Sequence, residues 1–562
     1  MTSKFDWAQG SAADTGGRID LPMRMPGSGA AEQAGVETAR EAVDADKIWR
    51  EYERGREYNE RVGLYETVKN NENFYIGKQW EDVVAPDLEK PVLNFLRRVT
   101  TYFLAMLTSE DVGVQIQPFH GDAAADMAAK VLAGEVSRVI ERTRIKTLSR
   151  EMLRNCCVDG DGCFYFYFEP SAYTGQTAQG EIRCENIDNV KVIFGNPFVH
   201  EVQEQPYILL VQRLQLEQAR KLAREAGADA EAIRPDSDSK YINEESDAQS
   251  QLVTVLIRLW RGESGTIQCC KTTHDVILRE AWDTGYRLYP VAWMSWEKIK
   301  SSYHGQAALT GLIPNQIFVN KLWAMAMQHV KLSAFPKVFY DRSRIHEWTN
   351  RVGEAIGVNG NPNEQIAVNF RQADLSAQLL ELVDRTVNYT KEFMGASDAA
   401  LGNVRPENTS AIIAVQKANA VPLELQRLAY YQFCEDYIRI MIDMMRADYG
   451  VRRVMADMDG SGVKQAVTLD FGTINADALE LNIDIGSSAY WSELTQIQTL
   501  DNLFNKQIIS DAVTYLDAMP DKYVPGKQKI IEQLKARQQA QAALAQQQMM
   551  TQQGVSGQQA MI

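Results

Sequence analysis

Two carboxylates one residue apart, in the run Asp159-Gly-Asp161-Gly162, are the residues of this chain that come nearest to metal chemistry. Oxygen ligands of that kind suit a hard divalent cation, and a nucleic-acid enzyme could use such an ion to activate water. The further acidic positions of a calcium loop are missing, so a tight turn ahead of a strand accounts for the run more simply. The six histidines (His120, His200, His274, His304, His329 and His346) show no paired spacing suited to zinc, and His346-Glu347 reads as a solvated charged step. The chain has neither a Gly-x-x-x-x-Gly-Lys-Ser/Thr phosphate loop, as an ATPase would, nor a Gly-x-Ser-x-Gly nucleophile elbow. Seven cysteines include the adjacent pairs Cys156-Cys157 and Cys269-Cys270, with Cys163, Cys184 and Cys434 apart and no Cys-x-x-Cys. They read as reduced thiols packed as small hydrophobes. The expectation is a protein that is not an enzyme, with no cofactor and no metal. The alternatives are a metal-dependent nucleic-acid enzyme using Asp159 and Asp161, and a structural scaffold.

The chain has 562 residues, which suggests two to four structural units. Apolar residues at 45% and charged residues at 24% suit a soluble folded protein, and a net charge of -15 argues against a general basic surface for gripping phosphates. That balance still allows a polyanion to pass without sticking. The first residues lack a charged-then-apolar leader, and no apolar run approaches the ~20 residues that span a bilayer. The chain is therefore read as a soluble intracellular product that does not enter a membrane.

Residues 1–43 are rich in Gly, Ala and Ser and read as a flexible arm. A charged helix from Asp44 leads to the aromatic cluster Phe74-Tyr-Ile-Gly-Lys-Gln-Trp80, and Pro91–Leu107 has helical apolar spacing with Pro near its start. Val112–Pro118 alternates as a strand, and Gly121–Arg154 is helical. Strands are expected at Cys163–Glu169, Glu181–Ile187, Val190–Phe194, Leu252–Arg261, Ile267–Leu278 and Leu288–Trp296, with a helix at Leu214–Ala226. The run Phe164–Phe168 is aromatic on both faces and suits a strand buried on both sides better than a base-stacking platform.

A long helix is expected over Tyr303–Leu332, with Trp323, Met325 and Met327 as packing residues. A short helix near Ile345–Ile356, a strand near Ile366–Asn369 and a helix at Leu375–Phe393 follow. The loop Gly395–Asn408 is made of small and amide residues, with Arg405 its one cation beside Asp398 and Glu407. Asn408 or Thr409 can cap a helix running to about Met445, and Pro422 in its interior should kink it. Strands at Val463–Leu469 and Leu481–Ile485 precede helices at Ser492–Phe504, Ser510–Ala518 and Gln528–Met550, and residues 551–562 read as a disordered tail. The fold class is α+β.

This order resembles the portal protein of tailed bacteriophages, the ring at a capsid vertex through which DNA passes. The resemblance covers about residues 45–520. It rests on Asn73-Phe-Tyr-Ile-Gly-Lys-Gln-Trp80, Gly305-Gln-Ala-Ala-Leu-Thr-Gly-Leu, Ala334-Phe-Pro-Lys-Val, Gly395-Ala-Ser-Asp-Ala-Ala-Leu-Gly402 and Asn408-Thr-Ser-Ala-Ile-Ile, in that order. It implies an α+β wing over 44–304, stem helices over 305–333 and 375–394, and a clip over 334–374. It further implies a tunnel loop over 395–408, a kinked helix with wing strands over 409–490, and a crown over 491–550. A homo-oligomer, a twelve-fold ring, is implied, with double-stranded DNA in its channel. The implied partners are the terminase large subunit, major capsid and scaffolding proteins, and neck, head-completion or adaptor proteins. The implied location is the virion's portal vertex, with the host cytoplasm during assembly. By position, Asn403, Arg405 and Asn408 would face DNA, and Lys337, Arg342, Arg344, Glu347 and Trp348 would meet partners at the clip. A scaffold of another kind, forming no closed ring, remains the structural alternative.

Overall fold

The computed structural model describes residues 44–236, 251–334, 337–369, 377–393, 421–456, 465–474 and 479–485. It also describes parts of 497–537, and a few shorter interruptions fall within these spans. Helices open the chain: α1 (Ala45–Arg61), α2 (Leu64–Ile76) and α3 (Phe95–Leu107), then strand β1 (Val112–Pro118) and helices α4 (Ala123–Arg142) and α5 (Ile145–Asp159). Asn94 caps α3 by accepting from Arg97 N at 3.0 Å, so that helix starts four residues after Pro91 rather than beside it.

A sheet-rich stretch follows, with β2 (Asp161–Glu169), β3 (Glu181–Ile187), β4 (Val192–Phe194), β5 (Tyr207–Gln215), helix α6 (Leu216–Glu225), β6 (Leu252–Arg261), β7 (Ile267–Thr272), β8 (Ile277–Asp283) and β9 (Val291–Ser295). The strands form two antiparallel sheets, in the orders β3-β2-β9 and β4-β5-β6-β7-β8. Short β10 (Glu297–Lys298) pairs with β11 (Gly305–Gln306), and helix α7 spans Ile313–Ala334. Strands β12 (Val338–Tyr340) and β13 (Ala367–Asn369) form a hairpin ahead of helix α8 (Ala377–Phe393). The long helix α9 (Glu424–Asp448) leads to the pair β14 (Val451–Ala456) and β15 (Gln465–Asp470). Strand β16 (Leu479–Ile485) returns to pair with β1, and α10 (Ala512–Ala518) lies beyond.

The main core forms where α5 and α9 close on β2 and β9. Phe164 and Phe166 meet Phe433 and Tyr437 of α9, with Phe164 and Phe433 ring centroids 5.1 Å apart. The other face of β2 turns toward Cys269 of the larger sheet, so residues 161–166 are buried on both sides, as the aromatic run predicts. The larger sheet buries its second face under α1, where Leu209, Val211, Leu256 and Cys270 meet Ile48 and Tyr52. All seven cysteines are free, and burial pushes the Cys157 thiol up to about 12, which keeps it protonated and inert.

Two contacts tie the β14–β15 hairpin to the rest. Arg452, fully buried, donates to Tyr449 O, Gln179 O and Gly180 O. The Gln176 side-chain amide accepts from Arg453 N at 2.9 Å and donates to Arg453 O at 3.0 Å.

Several expectations need correction. Strand β5 was not foreseen, nor was β14. The stretch 303–312 is not helical: Gly305 and Gln306 pair with β10, and α7 begins at Ile313. The expected helix near 345–356 is instead irregular backbone in the described residues. The strand expected over 267–278 is two, β7 and β8, with a turn between.

Candidate functional site

The chemistry to be weighed first is that of Asp159 and Asp161. Helix α5 ends at Asp159, Gly160 caps it at φ 104°, and β2 starts at Asp161, so the acidic run is the helix-to-strand turn read from the sequence. Asp161 is 1% exposed and its carboxylate is fully engaged. Its Oδ1 accepts from Ser295 Oγ at 2.7 Å and Gly305 N at 2.8 Å, and its Oδ2 lies 2.9 Å from His304 Nδ1. His304 Nε2 lies 3.1 Å from Asn59 Oδ1. Three stretches distant in sequence, around residues 59, 161 and 295–305, are thereby joined through one buried carboxylate and His304. Asp159 is different: burial raises its pKa to about 8, with Arg154 opposing, and its Oδ1 has no hydrogen-bond partner. A carboxylate saturated by protein donors and a neighbour that holds its proton suit a structural joint, and supply no ligand set for a cation.

The joint seats the helix pair. Gly305 sits so close to its neighbours that an added Cβ would lie 2.7 Å from Ser295 Cβ and 2.8 Å from Glu297 O. Ala308 N donates to Cys157 O at 3.1 Å, and Asn71 Nδ2 donates both to Val158 O and to Thr310 Oγ1. The aromatic cluster at 73–80 then holds the base of α7. Phe74 packs with Leu96, Leu312 and Ile313, and Gln79 Oε1 accepts from Asn320 Nδ2 at 2.6 Å. Gln316 Nε2 donates to Leu93 O at 2.8 Å. These buried amides fix the rotation of α7, because any turn of the helix would leave them unpaired.

Above its base, α7 packs on α8 through Val319, Leu322 and Val383, and Asn315 Nδ2 donates to Thr390 Oγ1 at 3.1 Å. Elsewhere it carries open apolar side chains among exposed Lys321 and Lys331. Phe318, Met325 and Leu332, seven residues apart, are 41%, 49% and 38% exposed, and Val330 is 62% exposed. Met325 and Met327, read from the sequence as packing residues, thus lack cover within the chain's described residues.

Between the two helices, Phe339 lies opposite Val368 on the β12–β13 hairpin, and both are exposed. Beyond it the chain is held by turns. The Asp341 carboxylate accepts from Ser343 N and Oγ, which holds it below the usual carboxylate range, and Arg344 pairs with Glu364 at 2.6 Å. Trp348 stacks on Tyr340 at 5.6 Å, and Ile345, between them in sequence, is buried. Of the five residues expected at the clip, Lys337, Arg342 and Glu347 are exposed, whereas Arg344 and Trp348 are part of the loop's own packing. Asn403, Arg405 and Asn408 lie outside the described residues, as does the expected helix ahead of residue 421. Pro422 lies in a 3-10 turn, Val421–Leu423, and the α-helix starts at Glu424. That turn borders a cleft of about 360 Å³ lined by Phe103, Trp296, Gln306 and Leu312. Sequence reading missed Asn59, Ser295 and His304, whose partnership with Asp161 leaves no local signal.

The helix pair, with exposed apolar side chains on α7, is rooted in the sheet body through residues 73–80 and 305–320. The chain matches the phage P22-like portal protein family over residues 50–562, and it belongs to that family. It is thus a bacteriophage portal protein, a head-to-tail connector concerned with DNA packaging, and the family is structural rather than enzymatic. The mixture of helices and antiparallel sheets is compatible with the α+β class. No curated protein matches the chain. No helix among the described residues is long and apolar enough to cross a membrane.

Proposed function

We propose that the chain assembles into a closed ring, twelve-fold as in the family it resembles, at one vertex of the capsid. Double-stranded DNA passes through the channel during packaging and ejection. Helices α7 and α8 form the stem, residues 334–374 the clip, residues 395–408 the channel-lining loop, and residues 491–550 the crown. The clip receives the terminase large subunit and later neck, head-completion or adaptor proteins, with Lys337, Arg342 and Glu347 its exposed charges. Scaffolding and major capsid proteins surround the ring, which is built in the host cytoplasm and carried in the virion.

The observation that carries this reading is the open apolar row Phe318–Met325–Leu332 on α7. Exposed apolar side chains in a row call for cover, and a ring of copies supplies it. Negative-stain imaging with solution mass tests it: closed rings with a central channel are expected, and a globule without radial symmetry under every condition overturns it. In the channel, Arg405→Glu is expected to impair packaging while leaving ring assembly intact, because contacts with passing DNA must be weak and sequence-blind. Unaltered packaging would remove the loop from the channel.

A further inference from the structure

A cleft of about 420 Å³ lies between the outer end of β2–β3 and the five-stranded sheet, well apart in sequence from the helix pair. Strand register sets its floor. Leu210 on β5 lies opposite Ile257 on β6, Ile257 opposite Lys271 on β7, and Lys271 opposite Arg279 on β8. A row that starts apolar therefore ends in two cations facing each other across one ladder. Like charges so placed repel and weaken a sheet.

No carboxylate among the described residues contacts either cation directly, although Glu185, Asp283 and Asp448 share the cleft with them. Among the described residues, neither Lys271 nor Arg279 makes an ion pair. Two of these acids take their hydrogen bonds from other groups: Asp283 accepts from Thr266 Oγ1 and Gly285 N, and Asp448 accepts from Tyr286 OH at 2.6 Å. Glu185 also lines the cleft, and its charge favours the Lys271 ammonium without an ion pair. Burial still lowers the Lys271 pKa below the ordinary lysine value, and Arg279 adds to that effect. The walls are flat. Tyr165 and Tyr167 stack at 5.8 Å and 28°, and Trp282 holds the Arg279 guanidinium 3.6 Å from its ring centre.

We propose that this cleft binds a small organic phosphate carried on a flat ring, a mononucleotide in type, with the phosphate between Lys271 and Arg279 and the ring against Tyr165 and Tyr167. Two adjacent cations without ion pairs can each donate to a phosphate monoester, which carries about -1.5 to -2 charge at pH 7. The volume suits such a ligand, since small-molecule sites run from about 300 to 1,000 Å³. Inward-pointing charge on an edge strand can also serve to block unwanted strand pairing. That role accounts for Arg279 on edge strand β8, but gives no reason for Lys271 on the strand inside it.

Calorimetric titration of the full chain with adenosine monophosphate, adenosine and inorganic phosphate decides the matter, whatever the oligomeric state. Saturable binding of the monophosphate is expected, with adenosine and inorganic phosphate each weaker by about tenfold or more. Lys271→Met keeps the aliphatic stem and removes the charge. It is expected to lower monophosphate affinity at least about tenfold while leaving the unfolding midpoint unchanged or raised. Arg279→Gln, at an exposed position, is expected to act in the same direction and serves if the lysine variant fails to fold. No saturable heat, undiminished affinity in a folded variant, or adenosine binding as tightly as its monophosphate would each overturn the site. A raised midpoint together with absent binding would assign the pair to edge protection alone.

Discussion

Around β2, apolar side chains are covered from two directions: Phe164 and Phe166 by α9, and Cys163 and Tyr165 toward the larger sheet. Along α7, the same kinds of residue are covered on one side only. Val319 and Leu322 lie against Val383, while Phe318 and Met325 face outward. Covering a large apolar side chain contributes about 1.5–3 kcal/mol, so the first region is stabilised within one chain while the second leaves comparable free energy for contacts between chains. Polar groups divide the same way. Asp161 is satisfied by Ser295, His304 and Gly305, whereas Lys337, Arg342 and Glu347 are exposed. The sheet body covers its apolar side chains within one chain. The helix pair leaves part of its own exposed among the described residues.

The sharpest way to break this contrast is inside the body. Asp161→Ala strands Ser295, His304 and the Gly305 amide in a buried site, and is expected to destabilise the chain by about 3–5 kcal/mol in urea unfolding. A loss under ~1 kcal/mol would mean the joint is dispensable. The neighbouring acid gives a smaller, pH-dependent effect. The Asp159 pKa is raised to about 8 in the folded chain against about 3.9 unfolded, so the folded state binds the proton more tightly. The stability it lends is complete below about pH 4 and is lost as pH rises through about 8. Asp159→Asn should flatten that decline, which is on the order of a few kcal/mol; unfolding curves across that range with equal slopes for both proteins would refute it. The smallest expected effect on the monomer is on α7. Met325→Asp with Val330→Asp should change monomer stability by no more than about 0.5 kcal/mol, yet abolish rings by mass measurement. Rings of undiminished mass would place these residues away from any interface.

Much of the body could be read from residue pattern, because half-buried strands and amphipathic helices carry their period openly. Strands β1, β3 and β6 fall on the expected residues, and the turn at Asp159 to Gly162 is where expected. Strand β5 escaped notice because Tyr207-Ile-Leu-Leu-Val is a continuous apolar run in a strand paired on both sides, which shows no alternation. Strand β14 escaped because Arg452, a residue type almost always exposed, is buried in it. The start of α7 was placed too early because 305–312 has helical composition but is held by backbone contacts to Gly160 and Cys157 that no local pattern encodes. The site divides similarly. The aromatic cluster at 73–80 was recognisable, but its grip on Asn320 spans 241 residues and had to be seen in space.

The Gln176 amide gives the outer edge of β14 both hydrogen bonds that a further strand would offer at Arg453. One side chain thus acts as a plug. Exposed strand edges invite pairing with other chains, and copies gathered around a common axis would meet such edges at high local concentration. By occupying the one donor and one acceptor at this position, Gln176 closes the edge to strand exchange there, whichever surface the copies use to associate.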